Sequence, residues 1–360
     1  MLKKVYAYVL AVMMTVSLLS VSAYAENTVS TPEDQCLVYT NYEEVRKNVY
    51  YGTESAALTS LTPIEVEHAA YIDNWKNNLG IQILNVDAEI TSIGQSADIV
   101  STAKTEVYEW VTIDYMFLSE GITRTMEFGT NHIIEVNAAG NILSDTYCEI
   151  TGFETGTAED LQVLRARQND DFSSVSDFIP TATADEAAVQ AAAAYNYSAA
   201  VNYAHTWCSS TYFNSGMHPS GYNPAYYYIP GADCCNFISQ CIRAGGKVMT
   251  STWRADTVSS STALSDPNCA HSTSAWRYTP SFQSYWVSMG FVPVHITSVS
   301  QAGAGNPIYW LASDGNSTNH VMIIVGAMTN DNVVFVDAHN SDCRNYPRRL
   351  SDKIFYTLWF

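Results

Sequence analysis

Positively charged side chains are scarce in this chain of 360 residues. Lysine and arginine together number 17, against 36 aspartates and glutamates, so the formal net charge is −19 at pH 7. Beyond Lys3 and Lys4 the sequence holds no extended basic cluster. Nucleic acids and anionic membranes attract proteins over long range through clustered basic residues. We therefore expect no nucleic-acid partner and no long-range attraction to an anionic membrane.

The chain also lacks internal repeats and the ligand spacings of common metal sites. No Cys-x-x-Cys or His-x-x-x-His pair occurs, and such pairs are typical of zinc sites. The nearest alternative is zinc held by Cys234, Cys235, Cys241 and a histidine. The spacing disfavours it, and we predict neither a metal nor an organic cofactor.

The apolar run at the start, residues 5–21, falls short of the roughly 20 residues that a membrane-spanning helix needs. Lys3 and Lys4 precede it, and a small-x-small site ending at Ala25 follows. This order is typical of a secretory signal peptide. We expect residues 1–25 to be removed and the mature protein to be secreted, with no stable membrane insertion and with the cell wall as one place of action.

Residues 26–155 predict a small accessory α+β domain. Thr62 and Glu65 form the pattern of a capping box at the start of a helix. Alternating β-branched and aromatic stretches follow, which indicates a helix packed on a curved antiparallel sheet. His68 and His132 stand alone and are interpreted as surface or satisfied core residues. Cys36 and Cys148 flank this region and could pair. We expect a module for binding, targeting or assisting folding.

Residues 156–195 are rich in acidic residues, serine, threonine and alanine. This composition predicts an exposed linker whose last part is helical. Proteolysis of such a linker could separate the two halves. Residues 196–360, rich in tyrosine and tryptophan, form the second predicted domain.

The strongest local signal is the stretch of residues 231–241. Asp233 is a good N-cap, an apolar stripe follows, and Gly245 and Gly246 end the predicted helix. Cys234 then occupies the first helical position, where the positive end of the helix lowers the pKa of a thiol. Backbone N–H groups at the same place can bind an oxyanion. We predict Cys234 to be a nucleophile.

A cysteine nucleophile needs an oriented base. His320 opens an apolar strand, and His339 lies near the end of the following strand, after Asp337. If these strands form a hairpin, both histidines lie near one end of the sheet. His339 could then orient His320 through its ring N–H. Asp337 is the alternative for that role.

These motifs occur together with others in a fixed order. They comprise Asp-Cys-x-Asn-Phe-x-Ser-Gln at residues 233–240, Trp276, residues 305–310, His-x-x-Ile-x-x-Gly-like residues 320–326, and His339 with Arg344-Asn345. With these motifs in this order, the C-terminal domain resembles the putative amidase domain family of the NlpC/CHAP/papain-like cysteine hydrolase superfamily. The resemblance does not extend to the N-terminal region. The resemblance implies an α+β papain-like fold, with helices of an N-terminal lobe packed on an antiparallel sheet.

Carried over by position, the resemblance implies a Cys234, His320 and His339 triad, with Cys235 where threonine or serine is more common. Asp233, Asn236 and Asp337 support it. Tyr222 precedes Cys234 by twelve residues, a spacing at which related peptidases place a site tyrosine. We expect a cleft lined by aromatic side chains suited to stacking on sugars or peptides: Tyr226, Tyr228 and Trp276.

The sequence thus predicts a secreted cysteine amidase or peptidase. Its expected substrate is a peptidoglycan stem peptide or another exported peptide. Two alternatives stay open: a catalytically silent protein that binds cell-wall or other glycans, and an acyl transferase on the same fold.

Overall fold

The computed structural model describes eleven stretches of the chain. They are residues 32–53, 63–95, 102–137, 142–151, 153–168, 182–208, 221–230, 232–261, 263–311, 318–340 and 342–360. Within these stretches, no helix combines the length and the apolar composition needed to cross a membrane. The predicted signal peptide and the Thr62 cap lie outside the described residues, as do the side chain of Cys36 and its predicted pairing.

The N-terminal region consists of two helices followed by long antiparallel strands, as predicted. Its elements are α1 (Pro32–Tyr51), α2 (Pro63–Leu79), β1 (Ile81–Gln95), β2 (Thr102–Phe117), β3 (Thr123–Asn137), β4 (Ile142–Cys148) and β5 (Glu154–Thr155). Val111, Ile113, Tyr115 and Phe117 alternate along β2, so one face of this strand packs in the same core as the two helices. Gly80 adopts a left-handed conformation, with φ of 68°, where α2 turns into β1.

The remaining elements are mainly helices, with two short strands among them, up to residue 288, and mainly strands after it. They are α3 (Ala158–Gln168), α4 (Ala184–Ala192), α5 (Tyr197–Trp207), β6 (Tyr227–Tyr228), α6 (Cys234–Ala244), β7 (Leu264–Ser265), α7 (Ser274–Arg277), α8 (Thr279–Ser288), β8 (Pro293–Ile296), a 3₁₀ turn (Val299–Gln301), β9 (Pro307–Leu311), β10 (Thr318–Met328), β11 (Val333–Ala338), β12 (Cys343–Arg349) and β13 (Phe355–Leu358). The fold is therefore a mixed one of helices and a large antiparallel sheet.

One eleven-stranded sheet runs through both regions. Its main path is β1-β2-β3-β12-β11-β10-β9-β13-β8, and β4 and β5 extend it beside β3. The two regions join where Cys343 of β12 pairs with Phe128 of β3. Asp342 strengthens the junction, because its carbonyl accepts from the N–H of Gly129 at 2.8 Å and its carboxylate from the Tyr108 hydroxyl at 2.6 Å. The N-terminal region is thus paired directly with the C-terminal one.

The segment predicted as an exposed linker is partly folded and docked. It contains α3 and α4, and α4 carries a complete capping box between Thr183 and Glu186. The Glu186 carboxylate also accepts hydrogen bonds from Ser251 and Thr252 of the C-terminal region. Although burial raises the pKa of Glu186, these hydrogen bonds lower it to about 2. The end of the segment is therefore part of the C-terminal domain, and the position of the domain boundaries stays a prediction.

The sheet separates two hydrophobic cores. The first packs the N-terminal helices and one face of the sheet, whereas the second lies between the other face and α5, α6 and α8. Strand β10 contributes to both, because successive side chains alternate between faces. Met322 and Ile324 belong to the first core, and Val321 and Ile323 to the second. Strand β10 therefore presents its odd-numbered side chains to α6.

A buried network of charged residues fills the N-terminal core. Arg46 on α1 donates to both carboxylate oxygens of Glu109 at 2.9 Å, and it also pairs with Glu149. His68 lies 3.0 Å from Glu149, and His132 lies 3.2 Å from Glu109. All five side chains are fully buried. Of the two interpretations offered for these histidines, the structure supports the satisfied core residue.

We expect this network to make folding sensitive to alkaline pH. Burial lowers the pKa of His132, but the charges of Asp145 and Glu109 outweigh it and raise the pKa to about 9. Its stabilising contribution is fully present below the ordinary pKa of about 6.5 and is lost as the pH rises through about 9. In urea unfolding, the wild type should have a lower free energy of unfolding at pH 9.5 than at pH 6. This difference between the two pH values should be smaller in His132→Gln. The exposed His295→Gln serves as the matched control, and an unchanged loss in His132→Gln would contradict the assignment.

Candidate active site

Helix α6 begins at Cys234, as predicted, but its N-cap works differently from the prediction. Asp233 makes no capping hydrogen bond with its side chain, because its backbone is already helical, with φ of −91° and ψ of −4°. Its Oδ1 instead accepts from the N–H of Ile229 at 2.8 Å and from Nδ2 of Asn236 at 2.7 Å. The carboxylate therefore fixes the loop before the helix and leaves the N–H groups of the first turn to other acceptors.

The sulfur of Cys234 is completely shielded from solvent. It lies 3.8 Å from Oγ1 of Thr279 at the start of α8. The position at the positive end of α6 favours a thiolate, whereas the buried surroundings oppose any charge. Cys235 is buried as well and packs in the same core. Reaction at Cys234 therefore requires an opening of the packing around the helix start.

His339 contacts Asp233, the residue before Cys234. Its Nδ1 lies 2.7 Å from Oδ2 of Asp233, and its Nε2 lies 2.9 Å from the carbonyl oxygen of Trp207. Its ring stacks on Phe237 with the centroids 3.9 Å apart. Burial lowers the pKa of His339, but the hydrogen bond and the charge of Asp233 outweigh it and raise the pKa above its ordinary value. Because both ring nitrogens are engaged in this way, His339 does not orient His320 as predicted.

His320 lies on the other face of the sheet. It shares its side of β10 with Met322 and Ile324, which belong to the first core, whereas Cys234 belongs to the second. Burial lowers the pKa of His320 to about 3, and the charges of Arg348 and Lys353 lower it further. The imidazole is therefore neutral. The structure does not bring His320 to Cys234, contrary to the hairpin argument from the sequence.

A bulge stands directly before His320. The pairing of β10 with β9 shifts register between Thr318 and His320. A β-bulge re-aims the side chains that follow it, and a shift of one residue exchanges the two faces of a strand. The side on which His320 lies therefore depends on the position of this bulge.

Asp337 does lie on the face of α6, opposite Ile323. Its Oδ1 accepts from the N–H of Asn345 at 2.8 Å, and its Oδ2 lies 2.8 Å from Nδ1 of His205 on α5. The alternative role of Asp337 as the orienting partner of His320 is thus not seen. His205, which is partly exposed, is the partner of this buried carboxylate.

The polar residues of the α6 motif anchor the helix in its surroundings. Oδ1 of Asn236 accepts from Nε1 of Trp276 at 2.7 Å, and its Nδ2 donates to the Tyr227 carbonyl at 2.9 Å. Ser239 donates to the Trp276 carbonyl at 2.7 Å and accepts from Nε1 of Trp253 at 3.1 Å. Each of these groups would be costly to bury without a partner. The polar residues of the motif therefore serve first to hold in place the helix that carries Cys234.

The aromatic residues predicted to line a cleft divide into two groups. Trp276 is fully buried and belongs to the second core, and its place in a cleft stays a prediction. Tyr226 and Tyr228 are partly exposed. Tyr222 packs its ring edge against His339, with the centroids 4.8 Å apart, and also contacts Tyr228 at 4.7 Å. Partly exposed tyrosines thus lie next to the Asp233–His339 pair.

Three other cysteines of this domain, Cys208, Cys241 and Cys343, pack in the hydrophobic cores. Cys208 donates to the carbonyls of Ala338 and Cys343 at 3.1 and 2.9 Å, and burial raises the pKa of the Cys208, Cys241 and Cys343 thiols. Among the residues that the structure describes, no group of three histidine, cysteine or acidic side chains could hold a metal ion.

Sequence reasoning missed Thr279 and Phe237 as neighbours of the site. No sequence signal identifies Thr279, because it approaches from a different helix. Phe237 belongs to the predicted apolar stripe of α6, but the stripe alone does not show that its ring stacks on the imidazole of His339. Together, the helix start can supply a nucleophile and oxyanion-binding N–H groups, and a buried imidazole–carboxylate pair braces it.

The comparison with known families covers the domain that contains Cys234. Residues 194–358 match the model of the family described as "Putative amidase domain". The match contains α5, α6 and the strands β8 to β13, and it excludes the N-terminal region. No curated protein and no solved structure matches the chain. The family description suggests that this domain hydrolyses amides.

Proposed function

We propose that residues 194–358 form a cysteine amidase of the papain-like, NlpC/CHAP type, with Cys234 as its nucleophile. The observation that carries this proposal is the place of Cys234 as the first residue of α6, inside the domain that matches an amidase family. A structural cysteine gains nothing from the positive end of a helix, whereas a nucleophile does.

The chemistry follows from that placement. The Cys234 thiol loses its proton to an imidazole, and the sulfur attacks the amide carbonyl carbon. The tetrahedral intermediate collapses as the C–N bond breaks, and the imidazole returns the proton to the leaving amine. Water then hydrolyses the thioester and releases the acid. Backbone N–H groups at the start of α6 are suited to binding the oxyanion, since Asp233 does not cap them.

For the base we propose His320, which the order of the motifs favours. In its buried position the pKa of His320 is lowered, which weakens it as a base, and a general base works best with a pKa near the working pH, so the role requires a different surrounding. His320 must turn to the face of α6, and a shift of the bulge before it by one residue would do so. We assign His339 a positioning role: its bond to Asp233 braces the loop that leads into Cys234.

Paired variants separate these two roles. We expect His320→Asn to lower kcat by about 10²- to 10⁴-fold, the range for a lost general base. His339→Asn should lower kcat by only about tenfold, since asparagine can still donate one hydrogen bond to Asp233. The decrease in kcat caused by His339→Asn should also depend on pH. It should be largest below about pH 6.5, where protonated His339 pairs with Asp233, and it should become smaller at higher pH as His339 loses its proton. Full activity of His320→Asn with loss of activity in His339→Asn would make His339 the base instead.

The proposed setting is outside the cell, and the proposed substrate is a peptide amide, in peptidoglycan stem peptides or in another exported peptide. The apolar leader of the sequence supports export. The partly exposed tyrosines near His339 support a substrate that packs against aromatic rings.

Incubation of the mature protein with purified cell walls and with exported peptides tests this function. Fragment masses should show one new carboxylate and one new amine per cleavage. Binding that survives Cys234→Ala without any product would favour the silent glycan-binding protein. Products that carry an added amine in place of water would favour the acyl transferase.

A further inference from the structure

A cavity of about 210 Å³ lies away from Cys234, where helix α2 faces strand β12 and the turn that follows it. Tyr71, Asn74, Trp75 and Asn78 line it from α2. Residues at this spacing share one face of a helix. The opposite wall comes from the C-terminal region, so the cavity exists because the two regions are joined through β3 and β12.

Aromatic rings form part of its wall. Trp75 and Tyr346 lie with centroids 6.3 Å apart and their planes inclined by 27°. The Arg348 guanidinium lies over the Tyr346 ring, 4.7 Å from its centroid. The Tyr71 hydroxyl donates to the Thr151 carbonyl at 2.8 Å, which fixes this ring in the wall. Tyr346 is itself buried, so the flat apolar surfaces that the cavity offers are the partly exposed rings of Tyr71 and Trp75.

Exposed polar groups surround these rings. Asn74, Asn78 and Asp352 are all exposed. A carboxamide donates and accepts, a carboxylate accepts, and a guanidinium donates. The lining carries one positive charge, on Arg348, and one negative charge, on Asp352. This set suits a neutral ligand that has hydroxyl groups on its edges and C–H groups on its faces.

The volume of the cavity and the backbone of its lining restrict the class of ligand further. The volume is below the roughly 300–1,000 Å³ typical of pockets for drug-sized ligands, so the cavity fits a single ring. A peptide that extends a strand needs backbone donors and acceptors. Pro347 in the lining has no N–H to offer such a strand.

We propose that this cavity binds one sugar ring of a neutral saccharide. The ring packs its C–H face on the aromatic wall, while Asn74, Asn78 and Asp352 hold its hydroxyls. The proposal stands independently of the proposed hydrolysis, because it involves none of the residues around Cys234.

Calorimetric titration of the full chain with cellotetraose, maltotetraose and the tetramer of N-acetylglucosamine tests the proposal. At least one saccharide should bind saturably. Asn78→Ala should weaken that binding about 3- to 10-fold, the loss expected for one hydrogen bond. Trp75→Ala should weaken it more, with folding of the variant checked by its melting temperature.

Asn77→Ala is the matched control, since Asn77 is an exposed neighbour on α2 that does not line the cavity. Its affinity should equal that of the wild type. Absence of binding by all three saccharides would overturn the proposal. Equal saccharide affinities of Asn78→Ala and Asn77→Ala would also overturn it. Saturable binding of adenosine or trialanine at this site, in place of the saccharides, would overturn it as well.

Discussion

Replacing Cys234 by alanine is expected to lower the rate of amide hydrolysis by about 10³-fold or more. Loss of a nucleophile removes the covalent route altogether, and what remains is binding and oxyanion stabilisation. The change should act on kcat, because the buried methyl group of alanine leaves the packing of α6 nearly intact. Release of amine from the best cell-wall or peptide substrate provides the measurement.

Cys235→Ala is the matched control for this prediction. Cys235 is the next residue, equally buried and in the same core, so its loss carries a similar packing cost. Its activity should stay within about threefold of the wild type, since it is not the first residue of the helix. Equal losses in the two variants would show a structural effect and contradict the role of Cys234. Iodoacetamide labelling of the peptide that contains residues 234 and 235 should disappear in Cys234→Ala but not in Cys235→Ala, and its rate reports how often the packing around the Cys234 sulfur opens.

Replacing Arg46 by methionine is expected to lower the free energy of unfolding by about 3–5 kcal/mol. The variant leaves Glu149 buried without Arg46 and leaves Glu109 with His132 as its remaining cation, and a broken buried ion pair costs that much. The change should be seen in urea unfolding followed by circular dichroism. Because the N-terminal region shares its sheet with the C-terminal one, the loss should extend to the whole chain.

Arg254→Met is the corresponding surface control. Arg254 pairs with Asp256, but the two side chains are 54% and 49% exposed. Exposed ion pairs contribute about 0–1 kcal/mol. Similar small losses in the two variants would show that the Arg46 network adds little to stability.

Much of the candidate site could be predicted from local patterns. An aspartate before an apolar stripe predicted the start of α6, and the runs of residues 320–326 and 333–338 predicted β10 and β11, because strand and helix periodicities are local properties. The face on which His320 lies could not be predicted. It depends on a bulge between β10 and β9, and a shift of one residue exchanges the faces.

Contacts between segments that are distant in the sequence explain the other differences between the predictions and the structure. Arg46 meets Glu109 and Glu149 across 63 and 103 residues, so each histidine and carboxylate looked isolated in the sequence. The pairing of β3 with β12 likewise joins segments with no shared local pattern. Trp276 is predicted to line a cleft because it is aromatic and lies near the motif, but the sequence does not show that its N–H holds Asn236.

Mass spectrometry of the protein, quenched with acid during turnover, measures directly whether the Cys234 sulfur carries the acyl group. The mechanism predicts a mass increase equal to the acyl part of the substrate, located on the peptide that contains Cys234 and stable as a thioester in acid. An adduct on Cys235 instead, or steady hydrolysis that continues after complete alkylation of Cys234, would contradict it.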